Sequence, residues 1–534
     1  MKKIFFVIFT LLSTTHLWAN DNWQQASGPN NNWQTSGEAP IEWSVVRNEN
    51  ILWRTPMPEA GQSAVVISGD KAFTTIHVPL TEVKQKTKVK DIFGFCLDAN
   101  TGKILWKVEL PGTFQMDLAS GFTDGSVFAP VTDGQHVWFF NRCGSMGCYD
   151  MEGKKIWLRE FVPRNRHSNR QCEPIMFNNT ILYVEIQDKE HHLKIKSPND
   201  PSRKNTKLEA PDGSDPKTFW TYIHGIDKTT GKILWRENTG TSVHNTPILN
   251  TMANGCPAIL HARGGGHGPL EKPYGLSLTS LKPGEEGKNI WSKETKDFAF
   301  YACHWNSKYA ISLGSKTFSV LETETGKTIR EESFTKPSDL WKHNSNTKEW
   351  TLQKEAKIIP TSFPITKQAN ILIGNWYYFL TGKGSYHLGR IHIETGKLEY
   401  LELPAQLLAS EKSRSQDTLL WGKAHKNNVT NAQGFAVGHK GHNGSGWGHI
   451  SAASPLLVGK YLFWPVVTGT VYVIDTSVDQ LGKALVSIND LGIGGETWTL
   501  SSFSYARGNL YIHTMREIIC IGTKKNSKSI NKEK

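Results

Sequence analysis

Three histidines lie within one glycine-rich segment, GHKGHNGSGWGHI at 438–450. His439, His442 and His449 are of the type that ligates a transition metal, and the glycines would let the backbone fold around an ion. Their spacings match no zinc signature, and the segment contains no carboxylate. The segment therefore predicts either a metal site or a hydrogen-bonding surface loop, in which Trp447 could contact a ligand.

A second cluster of basic side chains occurs in FVPRNRHSNRQCEP at 161–174. Guanidinium groups that lie close together can bind a carboxylate, sulfate or phosphate through paired hydrogen bonds. The candidate ligand contacts in this cluster are Arg164, Arg166, His167 and Arg170. A solvated basic loop would have the same composition. Further candidates in other long connections are His244, Arg263 and His267.

The seven cysteines show no redox or haem motif. There is no CxxC, no CxxCH and no adjacent pair, which excludes a thioredoxin-type site, c-type haem attachment and a vicinal disulfide. Cys143 and Cys148 are near enough in sequence to be bridged. An odd count leaves at least one cysteine unpaired in an oxidising compartment. We interpret the cysteines as structural.

These candidates must be positioned by a repeated unit. DANTGKILW at 98–106 is repeated as DKTTGKILW at 227–235, and weaker matches to it occur along the chain. This sequence pattern predicts a tight turn between two strands, in which Gly102 and Gly231 supply the positive φ that the turn requires. The tryptophan that ends each copy is expected to pack between units rather than to bind a ligand.

The last strand of each unit can be counted. Eight such outer strands are predicted, at Trp53, Trp106, Trp157, Trp235, Trp291, 323–330, 393–400 and 481–488. Four short antiparallel strands per unit, repeated around a circle, predict an all-β fold, an eight-bladed β-propeller. The chain begins with an outer strand at 50–57 and ends with strands that lack one. We therefore expect the N-terminal outer strand to complete the last blade and close the ring.

Long insertions interrupt the repeat near 188–219, 331–368 and 404–449, with shorter ones at 78–90 and 261–273. All are expected on one side of the ring, because strands alternate in direction. We call this side, where second strands lead to third strands and outer strands lead to the next blade, the loop face. The opposite side, which carries the Thr-Gly-Lys turns, is the turn face. Binding sites favour loops on a rigid scaffold, so the loop face is the predicted functional surface.

Aromatic side chains offer a further way to hold a ligand, because a sugar ring can stack on them. The candidates are Trp376, Tyr377, Tyr378 and Trp498. Packing in the core is the alternative for each of them.

The ends of the chain and its charge bound the function. Residues 1–19 have a basic start and a short apolar run, as in a cleaved secretory signal, so a periplasmic or secreted protein is predicted. Residues 20–523 are predicted to form the single propeller, and 524–534 a basic disordered tail. No later stretch is apolar enough to be a transmembrane segment. About half of the net charge of +12 lies at the two ends, and the rest is spread thinly over the body of the chain, which argues against binding to nucleic acid.

A family resemblance rests on motifs spread over nearly the whole chain: GPNNNW, IEWSVVRNENILWRTPMP, GDKAFTT, FCLDANTGKILW and NLYIHTMREIICIG. In this order they resemble the secreted PQQ-like β-propeller repeat proteins. This family is related to the propeller of the outer-membrane assembly machinery and to quinoprotein dehydrogenases. The resemblance to the dehydrogenases implies pyrroloquinoline quinone (PQQ) with calcium, a catalytic aspartate and commonly a vicinal disulfide. The missing Cys-Cys pair and the lack of an alignable calcium and base set depart from that pattern.

Three functions are consistent with these features. The favoured one is a non-catalytic binding or scaffold module that holds a glycan or polypeptide through the loop face. The alternatives are a PQQ-dependent quinoprotein dehydrogenase and a metal-assisted enzyme acting at the histidine-rich mouth.

Overall fold

The computed structural model of the 534-residue chain describes most of the ring and part of its loops. The described residues are 21–57, 63–81, 88–113, 115–117, 128–161, 172–185, 221–242, 245–265, 271–297, 301–314, 316–358, 370–381, 386–438 and 453–523. The predicted signal at 1–19 and the basic tail at 524–534 lie outside them.

Blades one to four each contain four antiparallel strands in chain order from the inside outwards. Blade one holds β3 (Val66–Ser68), β4 (Lys71–His77), β6 (Ile92–Asp98) and β7 (Ile104–Leu110). Blade two holds β9 (Val131–Thr132), β10 (His136–Asn141), β11 (Ser145–Asp150) and β12 (Lys155–Glu160). Blade three holds β13 (Ile175–Phe177), β14 (Thr180–Glu185), β15 (Tyr222–Asp227) and β16 (Ile233–Arg236). Blade four holds β17 (Ile248–Thr251), β18 (Pro257–Gly265), β19 (Glu271–Ser280) and β20 (Asn289–Glu294).

Blades five to eight vary this plan. Blade five has β21 (Tyr309–Leu313), β22 (Thr317–Glu322) and β23 (Thr328–Ser333). Blade six has β26 (Asn370–Ile373), β27 (Trp376–Leu380), β28 (His387–His392) and β29 (Leu398–Glu402), extended by β24 (Ser338–Asn344) and β25 (Glu349–Ala356). Blade seven has β32 (Leu456–Val458), β33 (Tyr461–Pro465), β34 (Thr470–Asp475) and β35 (Leu485–Asp490), extended by β1 (Gln34–Thr35). Blade eight has β36 (Ser504–Ala506), β37 (Asn509–His513), β38 (Glu517–Ile521) and β2 (Ile51–Pro56).

Two small ladders lie outside the blades. They pair β5 (Lys88–Val89) with β8 (Met116–Asp117), and β30 (Gln406–Leu408) with β31 (Thr418–Leu420). The described residues contain only short 3-10 turns as helices, at Arg414–Gln416 and Leu481–Lys483. In this part of the chain no helix is long and apolar enough to cross a membrane.

The eight-bladed propeller and its closure are confirmed. β2 pairs antiparallel with β38 and forms the outer strand of blade eight. Arg54 of β2 donates two hydrogen bonds to Glu517 of β38, at 2.8 and 2.6 Å. The first and last strands of the ring are therefore held in one sheet.

The two copies of the repeated sequence, at 98–106 and 227–235, form turns of the same geometry. Asp98 accepts hydrogen bonds on Oδ1 from the backbone N–H groups of Asn100 and Thr101 and from the Thr101 hydroxyl, at 2.8–3.0 Å. Asp227 makes the same contacts in blade three, at 2.7–3.0 Å. The turn glycine has a φ of 73° in both copies. The Asp and Thr side chains therefore satisfy the backbone of the turn, and the glycine permits its shape.

The same glycines receive the tryptophan of the preceding blade. A Cβ on Gly102 would lie 2.5 Å from the ring of Trp53, so only glycine leaves room for the indole. The Trp53 indole N–H also donates to the Ala99 carbonyl at 3.0 Å. Equivalent close pairs join successive blades at Trp106/Gly153, Trp157/Gly231, Trp235/Gly287 and Trp291/Gly326. The predicted packing role of the outer-strand tryptophans is confirmed.

In blade six the contact with the next blade is made by an additional strand. Its outer strand has Tyr400 where blades one to four have tryptophan. The strand β24 lies parallel beside β29, and its Trp341 packs where a Cβ on Gly482 of blade seven would be 2.2 Å from the ring. Much of the segment at 331–368, expected to be a loop on the loop face, is thus the hairpin β24–β25 at the outer edge of blade six. Alternating apolar residues around an Asn-Ser-Asn-Thr turn favour this hairpin.

The segment before β2 crosses the turn face. Trp23, Trp33 and Trp43 are all fully buried in it. Trp23 pairs with Ile67 of β3, and β1 pairs parallel with β32. Backbone or side-chain hydrogen bonds extend these contacts to the inner strands of blades two, three and six, and Tyr505 of blade eight donates to the Glu38 carbonyl. The segment therefore covers the inner ends of six blades.

Candidate functional site

Most of the predicted site residues lie outside the described residues. These are Arg164, Arg166, His167, Arg170, His244, His267, Trp447 and the candidate metal ligands His439, His442 and His449. Their roles therefore stay predictions.

Arg263 is the one predicted ligand contact that the structure describes. It is half-buried near the loop-face end of β18, opposite Gly275 of β19. His261, two residues earlier, is fully buried and lies 2.8 Å from the Thr279 hydroxyl through Nε2. Burial lowers the pKa of His261 to about 4, so this ring is neutral at physiological pH.

All seven thiols are free, and the Cys143–Cys148 bridge considered from the sequence is not formed. Cys143 lies in a turn on the loop face, with its thiol directed to the Val89 carbonyl. Cys148 lies within β11, among the apolar side chains shared by blades two and three. The two side chains pack in different clusters. Burial raises the pKa of the Cys148 thiol to about 12, which keeps it protonated and unreactive.

The aromatic residues proposed from the sequence to stack on a sugar are largely core. Tyr377, Tyr378 and Trp498 are at most 1% exposed. Trp376 is half-buried at the start of β27 on the turn face, with the guanidinium of Arg390 stacked over it at 4.3 Å. The packing alternative therefore describes these four side chains.

One half of the loop face is covered by apolar side chains. Val437 and its neighbours in the segment after β31 pack against Trp498, Met515, Val467 and Cys143. These partners come from the loop-face connections of blades seven, eight and two, and Val89 adds blade one. This apolar cluster thus spans four consecutive blades, and residues 429–437 form part of it on the predicted functional surface.

A groove opens between blades seven and eight on this face. Its volume is about 190 Å³, and apolar side chains including Ile493, Trp498 and Met515 form part of its lining. Arg516 and Glu496 approach to 3.5 Å at its rim. Ile493 is 53% exposed, which leaves an apolar contact surface open to solvent beside the groove.

A second surface feature lies at the loop-face end of the outer edge of blade six. The rings of His343 and Trp421 stack at 4.0 Å between centroids with a 10° interplanar angle, and Trp350 contacts both. All three side chains are half-buried. We call His343, Trp350 and Trp421 the aromatic platform. The sequence analysis missed it, although the spacing of Trp341 and Trp350 around a polar turn is a hairpin signal.

Glu402 of β29 holds the platform in place. Its carboxylate accepts a hydrogen bond from the His343 backbone N–H at 2.9 Å, and its carbonyl accepts one from the Trp350 indole N–H at 2.7 Å. Burial lowers the pKa of His343, despite the opposing effect of the Glu402 charge. The stacked ring is therefore favoured in its neutral form.

A buried carboxyl group lies in the connection between blades three and four. Glu237 is fully buried, and its Oε2 accepts hydrogen bonds from the backbone N–H groups of Thr239 and Gly240, at 2.7 and 3.0 Å. Its Oε1 has no hydrogen-bond partner among the described residues. Burial raises the pKa of Glu237 to about 7, because the lost hydration outweighs these bonds.

The described residues offer no group of three or more His, Cys, Asp or Glu side chains placed to hold a metal ion. The sequence also has no adjacent cysteines to stack on a quinone. The part of the chain that the structure describes therefore does not fit PQQ with calcium, and we assign no site for either.

Comparisons with known proteins give structural matches only. No protein-family model matches the chain, and no curated protein matches it. Among solved structures, quinohemoprotein alcohol dehydrogenase ADHIIG from Pseudomonas putida HK5 is 10% identical, with a TM-score of 0.48, over 96% of this chain and 82% of that one. The quinohemoprotein alcohol dehydrogenase from Comamonas testosteroni is 11% identical, with a TM-score of 0.48, over 95% and 81%.

BamB from Moraxella catarrhalis is 12% identical, with a TM-score of 0.34, over 92% of this chain and 95% of that one. These identities bear on the fold alone. The order of the strands in this chain and the closure by β2 are what establish the architecture. The architecture expected from the repeats is therefore confirmed at the level of the fold: the chain is an eight-bladed β-propeller.

Proposed function

We propose that the protein is an exported binding or scaffold module that holds a glycan or a polypeptide through its loop face, without catalysing a reaction. The observation that carries this proposal is the groove between blades seven and eight. At about 190 Å³ it is smaller than the roughly 300–1,000 Å³ of pockets that enclose a small molecule. It fits a side chain or a single ring that projects from a larger partner.

The charges of the groove support binding rather than acid–base chemistry. Both carboxylate oxygens of Glu517 accept hydrogen bonds from Arg54. Glu496 faces Arg516, whose guanidinium also donates to the Thr430 hydroxyl at 3.2 Å. These two carboxylates are thus engaged in ion pairs with guanidinium groups rather than left free to act as acid–base groups. A rim of paired charges around an apolar lining is typical of recognition surfaces.

The test starts with arrays of glycans and of peptides probed with the purified protein. A ligand found there is then measured against Ile493→Ser, which removes the exposed apolar contact of the groove. The matched control is Leu234→Ser, because Leu234 is 58% exposed but lies at the turn-face end of β16. We expect the groove variant to weaken binding about tenfold, or 1.4 kcal/mol, and the control to leave it unchanged.

Two results would overturn the proposal. One is equal binding by both variants together with unchanged binding after replacement of Arg166 and Trp447 by alanine. The other is dye reduction by the protein after addition of PQQ and calcium, which would reveal a dehydrogenase.

A further inference from the structure

The aromatic platform has the chemistry of a sugar-binding surface. We propose that it binds a pyranose ring of an acidic polysaccharide, an inference that rests on the proposed binding function and names its ligand class. The flat faces of indole and imidazole rings suit the C–H face of a pyranose, and half-buried rings keep part of that surface open to solvent.

The platform is ordered before any ligand arrives. Its three rings contact one another, and Glu402 joins the strand that carries His343 to the one that carries Trp350. Trp421 follows β31 directly, so the β30–β31 ladder anchors the third ring. A rigid aromatic surface loses little conformational entropy on binding, which favours affinity for a weakly apolar ligand such as a sugar.

Two buried amide side chains lie in the chain segments that flank Trp421. Gln406 of β30 accepts a hydrogen bond from the His425 backbone N–H at 2.8 Å, while its Nε2 has no partner among the described residues. Asn427 is 3% exposed, and neither its Oδ1 nor its Nδ2 has a partner in this part of the chain. A buried amide without partners costs about 1–3 kcal/mol, which a bridging water would recover. Because both amides are buried, the direct contacts of a sugar would be made by the platform and the exposed side chains beside it.

The charge beside the platform selects an acidic sugar. Residues 421–427, WGKAHKN, contain no acidic side chain. Lys423, His425 and Lys426 are all exposed there. Two ammonium groups next to a stacking surface attract a uronate or sulfate group carried by the stacked ring or by its neighbour in the polymer. A neutral polysaccharide would gain the stacking but not this attraction.

Affinity electrophoresis in polysaccharide-containing gels tests the inference. The probes are polygalacturonate for uronate, carrageenan for sulfate and a neutral galactan. We expect retardation by at least one acidic polymer, and a weakening of about tenfold or more in Trp421→Ala. Trp421→Phe should retain most of the binding because it keeps a ring. The double variant Lys423→Glu/Lys426→Glu should lose the acidic polymer and leave any neutral binding unchanged.

The control is Leu352→Ala, which changes an exposed side chain of the same hairpin outside the platform, and circular dichroism checks that each variant is folded. Which acidic polymer is retarded identifies the acid, and either one supports the inference. Retardation of Trp421→Ala equal to that of the parent protein would overturn the inference about the platform. If Ile493→Ser lost binding in that case, the proposed binding function would still be supported. Retention of peptides but of no acidic polysaccharide would overturn the inference alone.

Discussion

Gly102 shows how a single residue fixes the contact between two blades. Its φ of 73° shapes the turn, and its missing side chain makes room for Trp53 of blade eight. The same residue thus serves the turn of its own blade and the packing of the preceding one. Sequence reasoning predicted the first role from the turn, but the second required knowing which ring lies opposite.

Replacing Gly102 by alanine should lower the thermal midpoint more than the matched change Gly255→Ala. Both glycines have positive φ, at 73° and 82°, which costs an alanine about 1 kcal/mol. Only at Gly102 does the new Cβ meet a ring at 2.5 Å, because nothing lies within 4 Å at Gly255. Such overpacking adds about 1–3 kcal/mol. Equal shifts in a thermal denaturation series would contradict the packing role.

Glu237 makes stability depend on pH. Its pKa is raised from 4.5 to about 7 by burial, so the folded chain keeps a proton that the unfolded chain loses between these values. Stability therefore falls as pH rises from about 4.5 to about 7 and changes little from this cause above that. The full effect is about 3 kcal/mol at 1.4 kcal/mol per pKa unit.

Glu237→Gln should remove this dependence, since glutamine resembles the protonated carboxyl group. The measurement is the thermal midpoint of both proteins from pH 5 to pH 8, with exposed Glu324→Gln as control. We expect the thermal midpoint of Glu237→Gln to rise relative to that of the parent protein as pH increases. Parallel curves would show that Glu237 is ionised throughout.

At the scale of the element, the hairpin β24–β25 supplies a tryptophan contact that the repeat lacks in blade six. Blade six has no outer-strand tryptophan, and the hairpin brings Trp341 to the turn of blade seven instead. It also carries two of the three platform rings. One insertion therefore supports both the ring and the proposed ligand site.

Trp341→Ala should destabilise the propeller by about 2 kcal/mol, less than a fully buried tryptophan would cost. Leu352→Ala, on the exposed face of the same hairpin, should have little effect. Urea denaturation of the two variants makes the comparison. Equal urea midpoints for Trp341→Ala and Leu352→Ala would show that the hairpin contributes to ligand binding and not to the stability of the ring.

The elements that follow the repeat could be predicted, and those that depart from it could not. Gly-Lys-Ile-Leu-Trp carries both a turn and a strand, so each of its copies locates an outer strand. The segment from Trp23 to Trp43 has no such pattern, because its contacts are spread over the inner strands of six different blades. The platform was missed for a related reason: Trp350 and Trp421 are brought together only by the pairing of β24 with β29.

At the scale of the molecule, one ring carries two unlike faces. The turn face is built from short repeated turns and is covered at its inner end by the N-terminal segment. The loop face carries the groove, the aromatic platform and the apolar cluster that includes Val437. A rigid scaffold of this kind separates the residues that set stability from those free to recognise a partner.

The closure of the ring by β2 also sets an order of events in time. Arg54 and Glu517 are 463 positions apart, so β2 can pair only after the last blade has been synthesised. At about 5–20 residues per second this delay is on the order of half a minute or longer. Throughout it Ile51 and Trp53 belong to an unpaired, apolar edge, the kind of segment that aggregates. Closure of the ring by β2 therefore leaves an apolar segment of the nascent chain without its partner strand until the final strand has been made.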